Sequence, residues 1–173
     1  MTSEAFKISN PQGDSSTELP VVDGTLGTPG VDVRGLNTKQ GVFTYDPAFT
    51  ATCSCKSDIT FIDGENGILM YRGYPVDQLA EHSSYLEVCY LLLNGELPNA
   101  TEMEDFRHAI THHTMLNESL VKFYDGFHYD AHPMAILTGI VGSLSAFYHD
   151  TTDIRDPEHR AIFAHRMIAK MPT

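Results

Sequence analysis

Three groups of side chains in this 173-residue chain have the types and spacing to do chemistry. His108 and His112 stand four apart with His113 alongside, which on a helix puts two imidazoles on one face, half of a metal site. No glutamate occupies the position between them that a zinc hydrolase uses for its base, and the chain holds nine histidines in all. We therefore expect exposed or hydrogen-bonded rings and no metal. Arg166 and Lys170, again four apart, set two cations side by side in a chain that is otherwise acidic, a local anion site if it is not simply a solvated face. His149 and Asp150 are adjacent, point in different directions from a helix end, and read as capping residues rather than as an acid–base pair.

The elements that must position these groups are legible from hydrophobic period and from punctuation. After Pro98 the chain reads as helical. Thr101 with Glu104 has the pattern of a capping box, and Met103, Phe106, Ile110 and His113 fall on one stripe ending near Met115. A shorter helix follows from Asn117 or Ser119 through Leu120, Phe123 and Phe127. The most regular helix spans Pro133 to Tyr148, where Gly139 and Gly142 stand three apart. Glycine inside a helix costs up to about 1 kcal/mol relative to alanine, so the pair predicts a neighbouring helix at close approach. Asp156-Pro157 opens the last helix, which carries Arg166 and Lys170 into Met171-Pro172.

Upstream, Ile59–Ile62 and Ile68–Tyr71 are β-prone runs around Gly64 and Gly67, both of which are free to adopt positive φ, and together they predict a hairpin. Gly73 breaks the second strand, and Tyr74-Pro75 reads as a helix start. Ser84 with Glu87 predicts a capping box. The helix after it, rich in Leu86, Val88, Leu91, Leu92 and Leu93, reads as buried on most sides until Asn94-Gly95 stops it. Residues 1–50 differ in kind. Ala5–Ile8, Glu18–Val22, Val31–Arg34 and Val42–Tyr45 are short β-prone runs cut by Gly13, Gly24, Gly27, Gly30 and Gly41, a small antiparallel region that needs a partner surface.

Composition narrows the function classes. Eleven Lys+Arg against 23 Asp+Glu give a net charge of −12, which repels phosphate backbones and anionic lipid, so nucleic acid and membrane surfaces are not expected partners. Val88–Leu93 is the longest apolar run, far short of the roughly 20 residues that span a bilayer. The start, Met1 to Lys7, has neither a signal-peptide nor a transit-peptide pattern, and we read the chain as cytoplasmic and bacterial. Cys53, Cys55 and Cys89 are an odd count in C-x-C spacing, expected as reduced thiols.

One stretch carries more than these patterns. Ile59-Thr60-Phe61-Ile62-Asp63-Gly64-Glu65, then Tyr71-Arg72-Gly73-Tyr74-Pro75-Val76, then Tyr85-Leu86-Glu87-Val88 through Tyr90-Leu91-Leu92-Leu93-Asn94-Gly95-Glu96-Leu97-Pro98 resembles the amino-terminal signature of citrate synthases. The resemblance extends back through Gly41–Pro47 and on through His132-Pro133-Met134 to Lys170–Thr173. It implies a mainly α fold: part of the multi-helical large domain at 51–173, with the hairpin at its start, preceded by a small β-rich leader at 1–50. Such a leader resembles that of the hexameric type II enzymes of Gram-negative bacteria.

The resemblance also implies an activity, the condensation of acetyl-CoA with oxaloacetate to citrate and CoA in the tricarboxylic acid cycle, with no prosthetic group. The family's catalytic motifs, among them Gly-Pro-x-His-Gly-Gly, lie in its carboxy-terminal part and have no counterpart here, so no catalytic residue is expected in this segment. Its implied partners are the carboxy-terminal portion of its own chain and further subunits, as a dimer or hexamer. In NADH-inhibited hexameric relatives the motif residues of the allosteric nucleotide site fall on His113, Thr114, Met115, Tyr148, Arg166 and Lys170, with His112 where some relatives carry arginine. The division of labour this implies puts Arg166 and Lys170 on phosphates, Tyr148 and Met115 on apolar contact, and His113 and Thr114 on hydrogen bonds. The alternatives are a 2-methylcitrate synthase segment, a stand-alone nucleotide-binding module, and an oligomerisation piece built on the helices at 84–94 and 133–148.

Overall fold

The computed structural model describes residues 5–11 and 15–173. The Gly13 breaker and the first four residues of the chain lie outside them. The chain divides into two compact units, Met1–Glu96 and Leu97–Thr173. The sequence-based boundary near residue 50 falls inside the first.

In the first unit, β1 (Ala5–Ser9) pairs antiparallel with β2 (Ser16–Val22), running from Ala5↔Pro20 to Ser9↔Ser16, and β2 pairs antiparallel with the short β3 (Gly30–Val31). Alternation along β2 turns Thr17 and Leu19 inward, both buried. The expected β region is therefore present but smaller than the pattern implied. Leu36–Gln40 forms a short helix, α1, and Val42–Tyr45 lies outside any strand. Gln40 explains the placing of α1: its amide donates to Thr17 Oγ1 at 2.6 Å and accepts from Ser15 Oγ at 3.0 Å.

The hairpin forms as expected, β4 (Thr60–Asp63) against β5 (Ile68–Tyr71). Of its two loop glycines only Gly67 has positive φ, and Asp63 holds the turn by accepting from the backbone and side chain of Asn66. Tyr74-Pro75 corrects the reading of a helix start. Arg72 and Gly73 both have positive φ, 50° and 87°, the signature of a two-residue I′ turn, so the chain folds back and pairs as β6 (Tyr74–Pro75). Helix α2 begins only at Val76 and runs to His82.

Helix α3 (Tyr85–Asn94) has the expected capping box, with Ser84 N donating to Glu87 at 2.6 Å, and closes on Gly95 in the left-handed region. Its covering is partial: Leu91 is fully buried and residues 86–90 and Leu92 are half-buried, while Tyr85 at the start is 70% and Leu93 near the end 45% exposed.

The second unit is helical. Helix α4 (Ala100–His112) is capped by Asn99 and Glu102 rather than by Thr101 and Glu104. Asn99 Oδ1 accepts from the amides of Thr101 and Glu102, both at 3.0 Å, which starts the helix two residues early and leaves Glu104 to pair with Arg107. Helix α5 (Glu118–Tyr124) is capped by Asn117 and stops short of Phe127. Helix α6 (Pro133–Phe147) is capped by His132, and a single 3-10 turn (His149–Thr151) leads on to α7 (Pro157–Lys170), capped by Asp156.

Leu120, Ile140 and Leu144 form the core, with Phe127, Phe147 and Met167 packed against it. The close neighbour predicted for the two helix glycines is an aromatic ring. A Cβ on Gly139 would stand 3.0 Å from Phe127, whereas one on Gly142 would meet open space. Among the described residues no helix is long and apolar enough to cross a membrane.

Candidate functional site

The C-terminal half of α7, the end of α6 with its 3-10 turn, and the segment leaving α4 bring the six predicted residues together. Arg166 and Lys170 lie one helical turn apart on α7, and both face the ring of Tyr148, Arg166 Cζ at 5.3 Å and Lys170 Nζ at 4.3 Å from its centroid. The pair is not a solvated face. Lys170 is only 7% exposed, and its Nζ donates to the carbonyls of His113 and Met115, each at 2.6 Å. The Tyr148 hydroxyl donates to the same Met115 carbonyl at 3.2 Å. Lys170 and Tyr148 thus tie the chain just beyond α4 to the start of the 3-10 turn and to the end of α7.

Arg166 is held from a direction that no sequence pattern indicated. Its Nη1 donates to Asp150 Oδ1 at 2.7 Å and to Thr151 Oγ1 at 2.8 Å, and its Nη2 donates to Asp150 Oδ2 at 2.8 Å. The guanidinium draws the Asp150 carboxyl down to about 2, and the carboxylate in return raises Arg166. This corrects the reading of Asp150 as a capping residue. It is the counter-ion of the basic pair, and a partner sixteen residues away leaves no local signal that could have found it.

The other three predicted residues differ in what they offer. Met115 is 80% exposed and free to lie against a ligand. Thr114 turns its hydroxyl back to the Thr111 carbonyl at 2.8 Å. The His113 imidazole is held below its ordinary value, first by burial and then by Arg166, Lys170, His165 and His112, all of which disfavour its charged form. Behind Tyr148 and Arg166 opens a cavity of about 270 Å³, walled chiefly by Leu144, Ile154, Phe163 and Met167.

The histidine pair on α4 is engaged with itself. The His108 and His112 rings stack at 3.9 Å, and His112 Nδ1 lies 2.8 Å from the carbonyl of His108. Among the described residues no group of three or more metal-ligating side chains converges. Cys53 and Cys55 are exposed free thiols, and Cys89 is a half-buried one.

Residues 48–173 match the family described as "Citrate synthase, C-terminal domain". The chain belongs to the citrate synthase family. The match takes in the hairpin and all six candidate residues and leaves the β1–β3 sheet ahead of it. Solved citrate synthases have the same fold. The enzyme of Thermotoga maritima is 26% identical, with a TM-score of 0.60 over 75% of this chain and 32% of that one. That of Pyrobaculum aerophilum is 25% identical, with a TM-score of 0.63 over 99% and 37%. The citrate synthase of the archaeon Thermoplasma acidophilum, solved with carboxymethyl coenzyme A and oxaloacetate, is 23% identical, with a TM-score of 0.64 over 70% and 32%. The chain therefore spans about a third of the length of the solved citrate synthases it matches.

Proposed function

We propose that this chain is the amino-terminal segment of a cytoplasmic citrate synthase of the hexameric type, which in complete form condenses acetyl-CoA with oxaloacetate and water to citrate and CoA. The observation that supports the family part of this reading is the match across 48–173. The Thermoplasma acidophilum enzyme, solved with a coenzyme A derivative and oxaloacetate, is a neighbour of like fold that holds both classes of ligand.

The reaction needs a base to take a proton from the thioester methyl and donors to stabilise the enolate and polarise the ketone. The segment's role is to supply helices that support such a site and a surface for control, while the base and donors come from outside it. The test is direct. The purified chain, given acetyl-CoA and oxaloacetate, is expected to release no CoA thiol, and clear turnover would overturn the assignment of roles.

A regulatory reading has its own support, since Tyr148, Arg166 and Lys170 line one cavity, and Lys170 and Tyr148 hold the backbone at His113 and Met115 beside it. On this reading an NADH molecule lies against Tyr148 and Met115. Its phosphates compete with Asp150 for Arg166, which lowers the cost of releasing that guanidinium. Titration with NADH checks it: the Arg166→Ala, Lys170→Ala double variant is expected to lose affinity, and unchanged affinity would remove the reading.

A further inference from the structure

Three imidazoles gather where the end of α4 meets α7, and a fourth, His108, stands one turn back on α4. His108 and His112 stack on α4, His113 follows at its end, and His165 stands one residue before Arg166 on α7 with its ring edge-on to Phe106 of α4, centroids 5.3 Å apart at 80°. The groups that act electrostatically on His113 are Arg166, Lys170 and His165 from α7 and His112 from α4, every one of them basic. The carboxylate at this place, Asp150 of the 3-10 turn, is already held by both nitrogens of Arg166. Tyr148 contributes a ring and a hydroxyl that donates away to Met115. A proton arriving on His113 therefore meets fixed positive charge, and one arriving on His165 meets a half-buried site that disfavours its charge.

We infer that this seam is an acid-operated latch: when His113 and His165 become charged beside Arg166 and Lys170, α4 and α7 part and Lys170 releases the His113 and Met115 carbonyls. The geometry supplies both halves of the device. The carbonyl bonds of Lys170 are the clasp, and the packing of His165 on Phe106 is the hinge face that must stay apolar. Burial lowers both imidazoles from the usual 6.5. The sign follows: folding disfavours the charged form of both, so as pH falls below about 6.5 the open form binds more protons than the closed one, and the closed seam loses stability with acid and regains it with base. The inference does not depend on nucleotide binding.

Amide hydrogen exchange on the full chain at about pH 7.5 and about pH 5.5, corrected for intrinsic rates, tests it. We expect the last turns of α4 and α7 to lose about threefold or more of their protection at the lower pH while β1 and β2 hold theirs. The His113→Gln, His165→Phe double variant, which keeps a ring against Phe106, is expected to hold its protection at both values. Equal protection of the unaltered chain at both pH values would overturn the latch, and so would an equal loss in the double variant. Should the double variant not fold, Asp150→Asn serves instead: with Arg166 left uncompensated, the seam is expected to open at higher pH, and an unchanged or lower opening pH would overturn the proposal.

Discussion

The Nζ of Lys170 lies 2.6 Å from the carbonyl oxygen of Met115, fifty-five residues earlier in the chain, and the ammonium that makes this bond is almost wholly out of water. A buried ammonium is stable only with its donors used, and removing it takes this donor from the His113 carbonyl and leaves the Met115 carbonyl with Tyr148 alone. Lys170→Met keeps an unbranched side chain one atom shorter and removes the ammonium. We expect a loss of about 2–4 kcal/mol, since an acceptor left unsatisfied costs about 1–3 kcal/mol. Urea denaturation measures the loss, and amide exchange at 113–117 should rise with it.

A second prediction concerns acid and the first unit. Asp46 accepts from the amides of Ala51 and Thr50 at 2.9 and 3.1 Å and from the Thr50 hydroxyl at 3.1 Å, and the Ala51 bond first, then the Thr52 side chain and Thr50, bring its carboxyl down to about 2. The group is depressed on folding, so its contribution is present above its ordinary 3.8 and disappears as pH falls through about 2. The turn it holds includes Phe49 at a φ of 52°, a conformation a bulky residue adopts only under constraint. An NMR titration should place the Asp46 midpoint near 2 and show the Phe49 amide moving with it, and a midpoint near 3.8 would contradict the bonding.

The two helix glycines give opposite expectations. Gly142→Ala meets nothing within 4 Å and should stabilise α6 by about 0.5–1 kcal/mol through helix propensity. Gly139→Ala puts a methyl 3.0 Å from the ring of Phe127, which is packed against the core and must shift, so we expect a net loss of stability. Thermal unfolding of the two variants side by side reads the difference in sign.

Leu120 is fully buried between Ile140 and Leu144, on a helix of only seven residues. Leu120→Ala should cost about 2–5 kcal/mol, the usual range for a buried leucine that leaves a cavity. The readout is the urea midpoint together with exchange of the α5 and α6 amides, which should collapse as one.

What the sequence disclosed here was local, and what it withheld was not. Ser84 and Glu87, Asn117, and Asp156 with Pro157 signal their helices because each cap bonds to an amide two or three residues away. The shift of the α4 cap from Thr101 to Asn99 is a contest between two patterns of equal spacing. Asparagine won because its carbonyl serves two amides at once. Spacing pointed to the nearness of Arg166 and Lys170. Their burial, and the Asp150 carboxylate that neutralises one of them, depend on how α6 and α7 are joined, which no period reveals. The same limit applies to α3, whose leucines suggested a helix enclosed on most sides, whereas Leu91 is fully buried and residues 86–90 only half-buried.

Arg72 sits in the tight turn between β5 and β6 and sends its Nη2 to the carbonyl of Leu92, 2.9 Å away in the last turn of α3, and its Nη1 to the carbonyl of Asp58 ahead of β4. The carboxyl end of the helix is thus closed twice, by Gly95 from its own run and by the guanidinium from the ribbon. The arginine thereby couples the opening of one element to the opening of the other across residues 58–95.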